Sequence, residues 1–193
     1  MNAFALCRAD KAARAELEAL FPALKELSEP ARTRTINALY TAIENSDFAS
    51  YTDVPFSMNS THYPLHRHIN EVAALGLRKY AFALEHWQDE WTAQIDREEL
   101  LQLLLLHDVD KPLLLGASDA AAQRRLYCQH GVLGAMILRA LEIPDRVAML
   151  VSTHSPSAGM HTADPMAAIL HYADLYSCDH IYMLVGRKPN YFL

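Results

Sequence analysis

The run Leu100-Leu101-Gln102-Leu103-Leu104-Leu105-Leu106 constrains this chain more than any other stretch. It is long enough for two helical turns and has no polar face, so it reads as a buried helix rather than an amphipathic one. It ends on His107-Asp108 and is followed by Val109-Asp110-Lys111-Pro112. An imidazole and a carboxylate side by side at the end of a buried helix are costly unless they are paired, hydrogen-bonded or bound to a metal. The fold must therefore supply partners for this pair, and the chain carries 10 His from which to draw them.

Composition narrows the class. A chain of 193 residues with 51% apolar content has enough material for one compact domain. Scarce Gly and abundant Leu and Ala favour helices, strand signals are weak, and an all-α domain is expected. A net charge of −6 argues against binding duplex nucleic acid, which needs a basic face. It leaves room for a small phosphorylated ligand held by a few cations and a metal. Cys7, Cys128 and Cys178 are scattered without a CxxC, as in a reducing compartment. The start, Met1 to Arg8, is too short in its apolar part for a signal peptide, and no run of about 18 apolar residues suggests a membrane span. A cytoplasmic location is the expectation; a homo-oligomer is compatible with the sequence.

Helical periodicity predicts a first helix over Asp10–Leu27, split by Pro22, and a second from Pro30 through Ile43. Asn45–Pro64, rich in Asn, Ser, Thr and Pro with interleaved aromatics, reads as a long ordered loop. A helix follows from His66 to Trp91. Asp96-Arg97-Glu98-Glu99 opens the Leu-rich helix, which Pro112 should stop. Residues 117–125 read as a short helical or irregular connection. Further helices are predicted over Cys128–Leu141, Asp145–Thr153 and, after a break at Ser155–Gly159 and an Asp164-Pro165 start, Met166–Ile181.

Along this scaffold, His68, His107, Asp108, His130, His154 and Asp174 lie in otherwise apolar helical contexts. Imidazoles and carboxylates together suit first-row divalent ions. Six such groups exceed the needs of one tetrahedral ion. They suffice for two ions, with Asp108, central in the series, as the natural bridge.

The ordered set resembles the HD-domain superfamily of metal-dependent hydrolases over roughly residues 62–178, with residues 1–45 as N-terminal helices of the same domain. His68-Ile69-Asn70-Glu71-Val72-Ala73 resembles the family's first-histidine helix, and Leu105-Leu106-His107-Asp108-Val109-Asp110-Lys111 its LLHDxxK signature. His130-Gly131-Val132-Leu133-Gly134-Ala135 is similar to the H…GA helix of two-metal members, His154 to the histidine after the next helix, and Tyr172-Ala173-Asp174 to the closing AD. The resemblance implies a helical bundle in which His68, His107, Asp108 and Asp174 hold one ion, and His130 and His154, with Asp108 bridging, hold a second. Iron, manganese, cobalt, zinc and magnesium are the candidate metals.

Two departures stand out. Ser155 follows His154 where many relatives have a second His, which argues against a third ion and the cyclic-di-GMP phosphodiesterase branch. Asp110 stands where many have Gly and adds a charge near the site.

By the same resemblance the expected activity is phosphohydrolysis, in which a metal-activated water attacks phosphorus in line. Asp108 and Lys111 are the catalytic candidates, and His62, Arg67 and Lys111 the substrate-binding ones. A nucleotide or other small phosphoester is the expected substrate. The alternative is a mixed-valent di-iron oxygenase of the same superfamily, cleaving a C–C or C–P bond with the same ligands. A binding module that keeps the fold but not the chemistry would show a lost ligand, and none is lost. His66 competes with His68 but faces another side of the helix. His171, one turn before Asp174, suits either support of the site or core packing. Lys111 suits either a phosphate contact or a cation at a helix C-terminus.

Overall fold

The computed structural model describes residues 3–155 and 158–192. Its centre is the Leu-rich helix, α4 (Arg97–Leu106), in which Leu100 to Leu106 are all buried, Gln102 included. The lone polar side chain is satisfied: Gln102 Nε2 donates to Thr35 Oγ1 at 3.0 Å. Around it pack α2 (Glu29–Glu44), α3 (Leu65–His86), α8 (Asp145–Thr153) and α9 (Pro165–Leu184). Each fully buried Leu contributes about 1.5–3 kcal/mol of transfer free energy, so the run anchors the core that the sequence called for. The all-α expectation holds, since strand among the described residues is confined to one small hairpin.

The helix starts follow the caps read in the sequence. Asp10 accepts from Ala12 and Ala13 N–H at the head of α1 (Lys11–Leu20), and Asp96 accepts from Glu99 N–H at the head of α4. Asp164 accepts from Met166 N–H with Pro165 at the first helical position of α9. Pro22 does split the first segment, which continues as a 3₁₀ turn, Pro22–Glu26. No described helix is long and apolar enough to cross a membrane.

Several boundaries differ from expectation. The stretch 45–64 is not all loop: β1 (Pro55–Ser57) pairs antiparallel with β2 (Ser60–Pro64). Such short strands leave no alternating pattern to read. Tyr51, Phe56 and Tyr63 from this stretch are buried, so its aromatics pack inward. Pro112 does not stop the Leu-rich helix, which ends at Leu106. It lies in the first turn of α5 (Lys111–Leu115), where a missing N–H costs nothing. Lys111 is therefore at a helix N-terminus, and the C-terminal-cation reading fails. Residues 119–127 form a regular helix, α6 (Asp119–Tyr127), capped by Ser118. Cys128–Gly131 is not helical, and α7 spans Val132–Ala140. The expected break at Ser155–Gly159 falls partly on residues 156 and 157, and the N-terminal reading partly on residues 1 and 2, all outside the described residues.

One close approach positions the site. A Cβ on Gly76 of α3 would meet the Leu104 side chain of α4 at 2.5 Å, so the two helices touch where the methyl is absent. At the end of α3, Gln88 adopts a left-handed conformation (φ 45°), turning the chain between Trp87 and Trp91.

Candidate metal centre

Asp108 lies in the turn between α4 and α5, 2% exposed, and its two carboxylate oxygens face different histidines. Oδ2 lies 3.3 Å from His68 Nε2 and 3.4 Å from His107 Nε2. Oδ1 lies 3.2 Å from His130 Nε2 and 3.8 Å from His154 Nε2. Asp174 joins the first side, its Oδ1 at 3.2 Å from His68 Nε2 and 4.0 Å from His107 Nε2. The structure thus brings all six residues of the sequence series together.

Local structure explains why each ring points inward. His107 and His154 occupy the same position, the C-cap of α4 and of α8. In each, Nδ1–H donates to the carbonyl three residues back, Leu104 at 2.9 Å and Val151 at 2.7 Å. Each ring so satisfies a helix-end carbonyl and turns Nε2 outward from the terminus. His68, on α3, has Nδ1 at 2.9 Å from Ser177 Oγ, whose own hydrogen goes to Glu71 Oε2 at 2.8 Å. Ser177 must then accept from His68 Nδ1–H. His130 Nδ1 lies 2.9 Å from Asp110 Oδ1. In all four rings an acceptor fixes a proton on Nδ1 and turns Nε2 toward the cluster.

Asp110, whose charge the sequence leaves unexplained, has a definite task. Its Oδ2 accepts from Gly131 N–H (2.7 Å) and Gly134 N–H (3.2 Å), capping the N-terminus of α7, while Oδ1 holds His130. The helix dipole and these donors compensate its burial. Gly131 meets two demands here. Its φ is +85°, and a Cβ would meet Val151 O at 2.6 Å.

Lys111 enters the same space. Its Nζ is 2.7 Å from Asp108 Oδ2 and 4.2 Å from the centre of the Phe56 ring, and Phe56 also stacks edge-on against His68. Cys178, one turn after Asp174, donates its thiol to Asp174 Oδ1 at 3.2 Å. Arg67 and His62 are both exposed. Arg67 lies 3.7 Å from Glu71 Oε1 and over the Tyr63 ring, whose hydroxyl donates to Glu71. His66 turns away, its Nδ1 at 3.3 Å from the Tyr51 carbonyl. Asp110's task, Ser177, Glu71, Phe56 and Cys178 are the contributors that sequence reading misses.

The electrostatics ask for a cation. Burial opposes ionisation of Asp108 and Asp174, yet neighbouring cations and imidazoles outweigh it. Lys111 and His107 hold Asp108 well below the usual carboxylate range, and His68 and His107 do the same for Asp174. Burial likewise opposes protonation of His68 and His130, but Asp108 and Asp174 raise the first, and Asp110 and Asp108 push the second up to about 10. His68 Nε2 and His107 Nε2 lie 3.2 Å apart, too close for both to present bare lone pairs, so a proton or a metal ion must stand between them. Asp108 Oδ2 is fully buried and, although close to the Lys111 ammonium, receives no aligned hydrogen bond. Buried lone pairs without donors are what a divalent ion satisfies. Two groups of donor atoms fit an ion, His68 with His107 and Asp108, and Asp108 with His130 and His154. Cys178 lies beside His68 and Asp174 in a third.

A pocket of about 480 Å³ opens beside His154, lined by Leu150, Thr153, His161, His171 and Tyr172 among others. His171 thus faces this pocket, as does His161.

No match is found among curated proteins or among solved structures. Comparison with protein families matches residues 67–179 to the HD domain, well over half of the chain and the stretch that carries all six clustered residues. On that match, and with the helical fold around it, this chain belongs to the HD domain family.

Proposed function

We propose that the protein is a phosphohydrolase with a dinuclear metal site, acting on a nucleotide or other small phosphoester. Membership of a family of metal-dependent phosphohydrolases gives the general class. The observation that carries the finer reading is the division of Asp108, whose Oδ2 serves one histidine pair and Oδ1 another. Such a division supports a carboxylate shared between two ions. His68, His107 and Asp174 would hold one ion and His130 and His154 the other, with Asp108 common to both. Bound there, divalent ions would acidify a coordinated water and neutralise charge on phosphoryl oxygens.

The chain's own residues do the rest. Asp108 orients the site from its centre. Lys111, 16% exposed and paired with Asp108, is placed to exchange that partner for a phosphoryl oxygen as substrate enters. Asp110, Ser177 and the two helix-end carbonyls keep the imidazoles fixed, so little reorganisation is left for the reaction. His161 and His171 line the approach. Arg67 and His62, exposed near the Tyr63–Glu71 pair and the hairpin, would meet substrate only at the periphery.

The test is metal content together with phosphate release. Protein purified anaerobically and loaded with manganese, cobalt, iron or magnesium should bind two ions per chain and release phosphate from nucleotides or simple phosphoesters in a chelator-sensitive way. Iron binding with dioxygen consumption and no phosphate release would overturn hydrolysis in favour of the oxygenase. One ion per chain would overturn the dinuclear reading.

A further inference from the structure

Beside the pocket at His154 lies a second recess of about 410 Å³, and the two share Trp91, Ala168 and Tyr172 as a common wall. Its character differs from that of the metal centre. Phe82, Trp87 and Trp91 form a run of rings, Phe82 to Trp87 at 6.0 Å nearly perpendicular and Trp87 to Trp91 at 6.0 Å tilted. Arg78 and Lys79 stand at its edge, Lys79 Nζ 5.7 Å from the Tyr172 ring centre. No acidic residue lines the recess, and neither cation has a carboxylate partner among the described residues. Phe82, Trp87 and Tyr172 are each more than half exposed. Large rings left uncovered beside unpaired cations form a site for something flat and negatively charged.

Resting on the phosphohydrolase reading, we infer that this recess binds the far end of the substrate, and that this end is a planar aromatic group bearing a second anionic charge. The substrate would then be elongated, with its scissile phosphoryl group at Asp108 and its ring among the tryptophans. The joined recesses fall in the size range of small-molecule sites, which favours such a ligand over a protein surface. In the neighbouring pocket, Asp164 is already neutralised by Arg146, whose Nε and Nη2 lie 2.8 and 3.1 Å from it, so no free carboxylate repels an anion along the path.

The chain has two tryptophans, and both line this recess, so intrinsic fluorescence reports on it directly. The 193-residue chain, stripped of metal with chelator, is titrated with 4-nitrobenzenesulfonate, a flat anion with no phosphoryl group. Saturable quenching is expected. Arg78→Ala with Lys79→Ala should weaken binding at least about tenfold, with an unchanged melting temperature as the check on folding. The neutral 4-nitrobenzyl alcohol should bind far more weakly, and inorganic sulfate should produce no quenching. Absence of saturable quenching, equal affinity in the double variant, or equal affinity for the alcohol would overturn the inference. So would emission that changes with protein concentration alone as the mass doubles, which would make the face an interface between copies. Because the assay needs neither metal nor turnover, its outcome is separable from that of the phosphohydrolase test.

Discussion

The two sides of Asp108 are built by different means. The Oδ2 side draws His68 from the first turn and Asp174 from the middle of long helices and His107 from the end of the buried Leu-rich one; the rings of His68 and His107 are 0% exposed. The Oδ1 side draws His130 from the residue before Gly131 and His154 from the end of a helix of nine residues, and the His130 side chain is 27% exposed. A helix-end carbonyl orients one ring on each side, His107 and His154; beyond that, packing of long buried helices holds the first side and the Asp110 cap of α7 the second. The side held by the core should bind its ion more tightly. The side held by the Asp110 cap borders the pocket and, on the proposed reading, is the one that substrate would approach.

The largest expected effect erases the distinction. Asp108→Ala removes the group common to both sides and leaves the Lys111 ammonium buried without its partner. The metal-free fold should lose about 3–5 kcal/mol, read by denaturant unfolding, and metal analysis should find neither ion. Retention of one ion would show that Asp108 does not bridge.

Asp110→Asn sharpens the comparison by acting on one side. His130 loses its anionic partner, and affinity at the Oδ1 side should fall about 10–100-fold, with the other side unchanged. A two-step binding isotherm measures this; equal weakening of both steps would contradict the division. Gly131→Ala strains the same cap from the backbone, since φ is positive and Val151 O is close. It should cost about 1–3 kcal/mol, seen as a lower unfolding midpoint even without metal. At the small end, Arg67→Ala and His62→Ala should leave stability within about 0.5 kcal/mol and metal content unaltered. A larger loss in either measurement would place these exposed residues nearer the centre than they stand.

The sequence shows the ligands more clearly than their supports, for a physical reason. Each ligand is a polar residue within or beside an apolar helix, and such an interruption is visible locally. The supports act across distance. Asp110 reaches His130 and Gly131 some twenty residues on, and Ser177 serves His68 from another helix altogether. No window on the chain contains both partners. The hairpin at 55–64 is illegible in the sequence because three- and five-residue strands carry too little alternation. Pro112 misleads because the same ring that ends one helix suits the start of the next. The tryptophan recess is assembled from the end of α3, the turn after it and the face of α9, so its composition emerges only once these meet.

The contact between Gly76 and Leu104 has a consequence for how such a centre could drift. Gly76 lies two turns along α3 from His68, and Leu104 offers the carbonyl that orients His107. The close approach of the two helices that carry these ligands thus depends on an absent methyl deep in the hydrocarbon, at positions with no affinity for metal themselves. Changes there would alter the size of ion the centre prefers while leaving every ligand in place. A pair of compensating core substitutions could then retune its metal preference with no change in the family's signature residues.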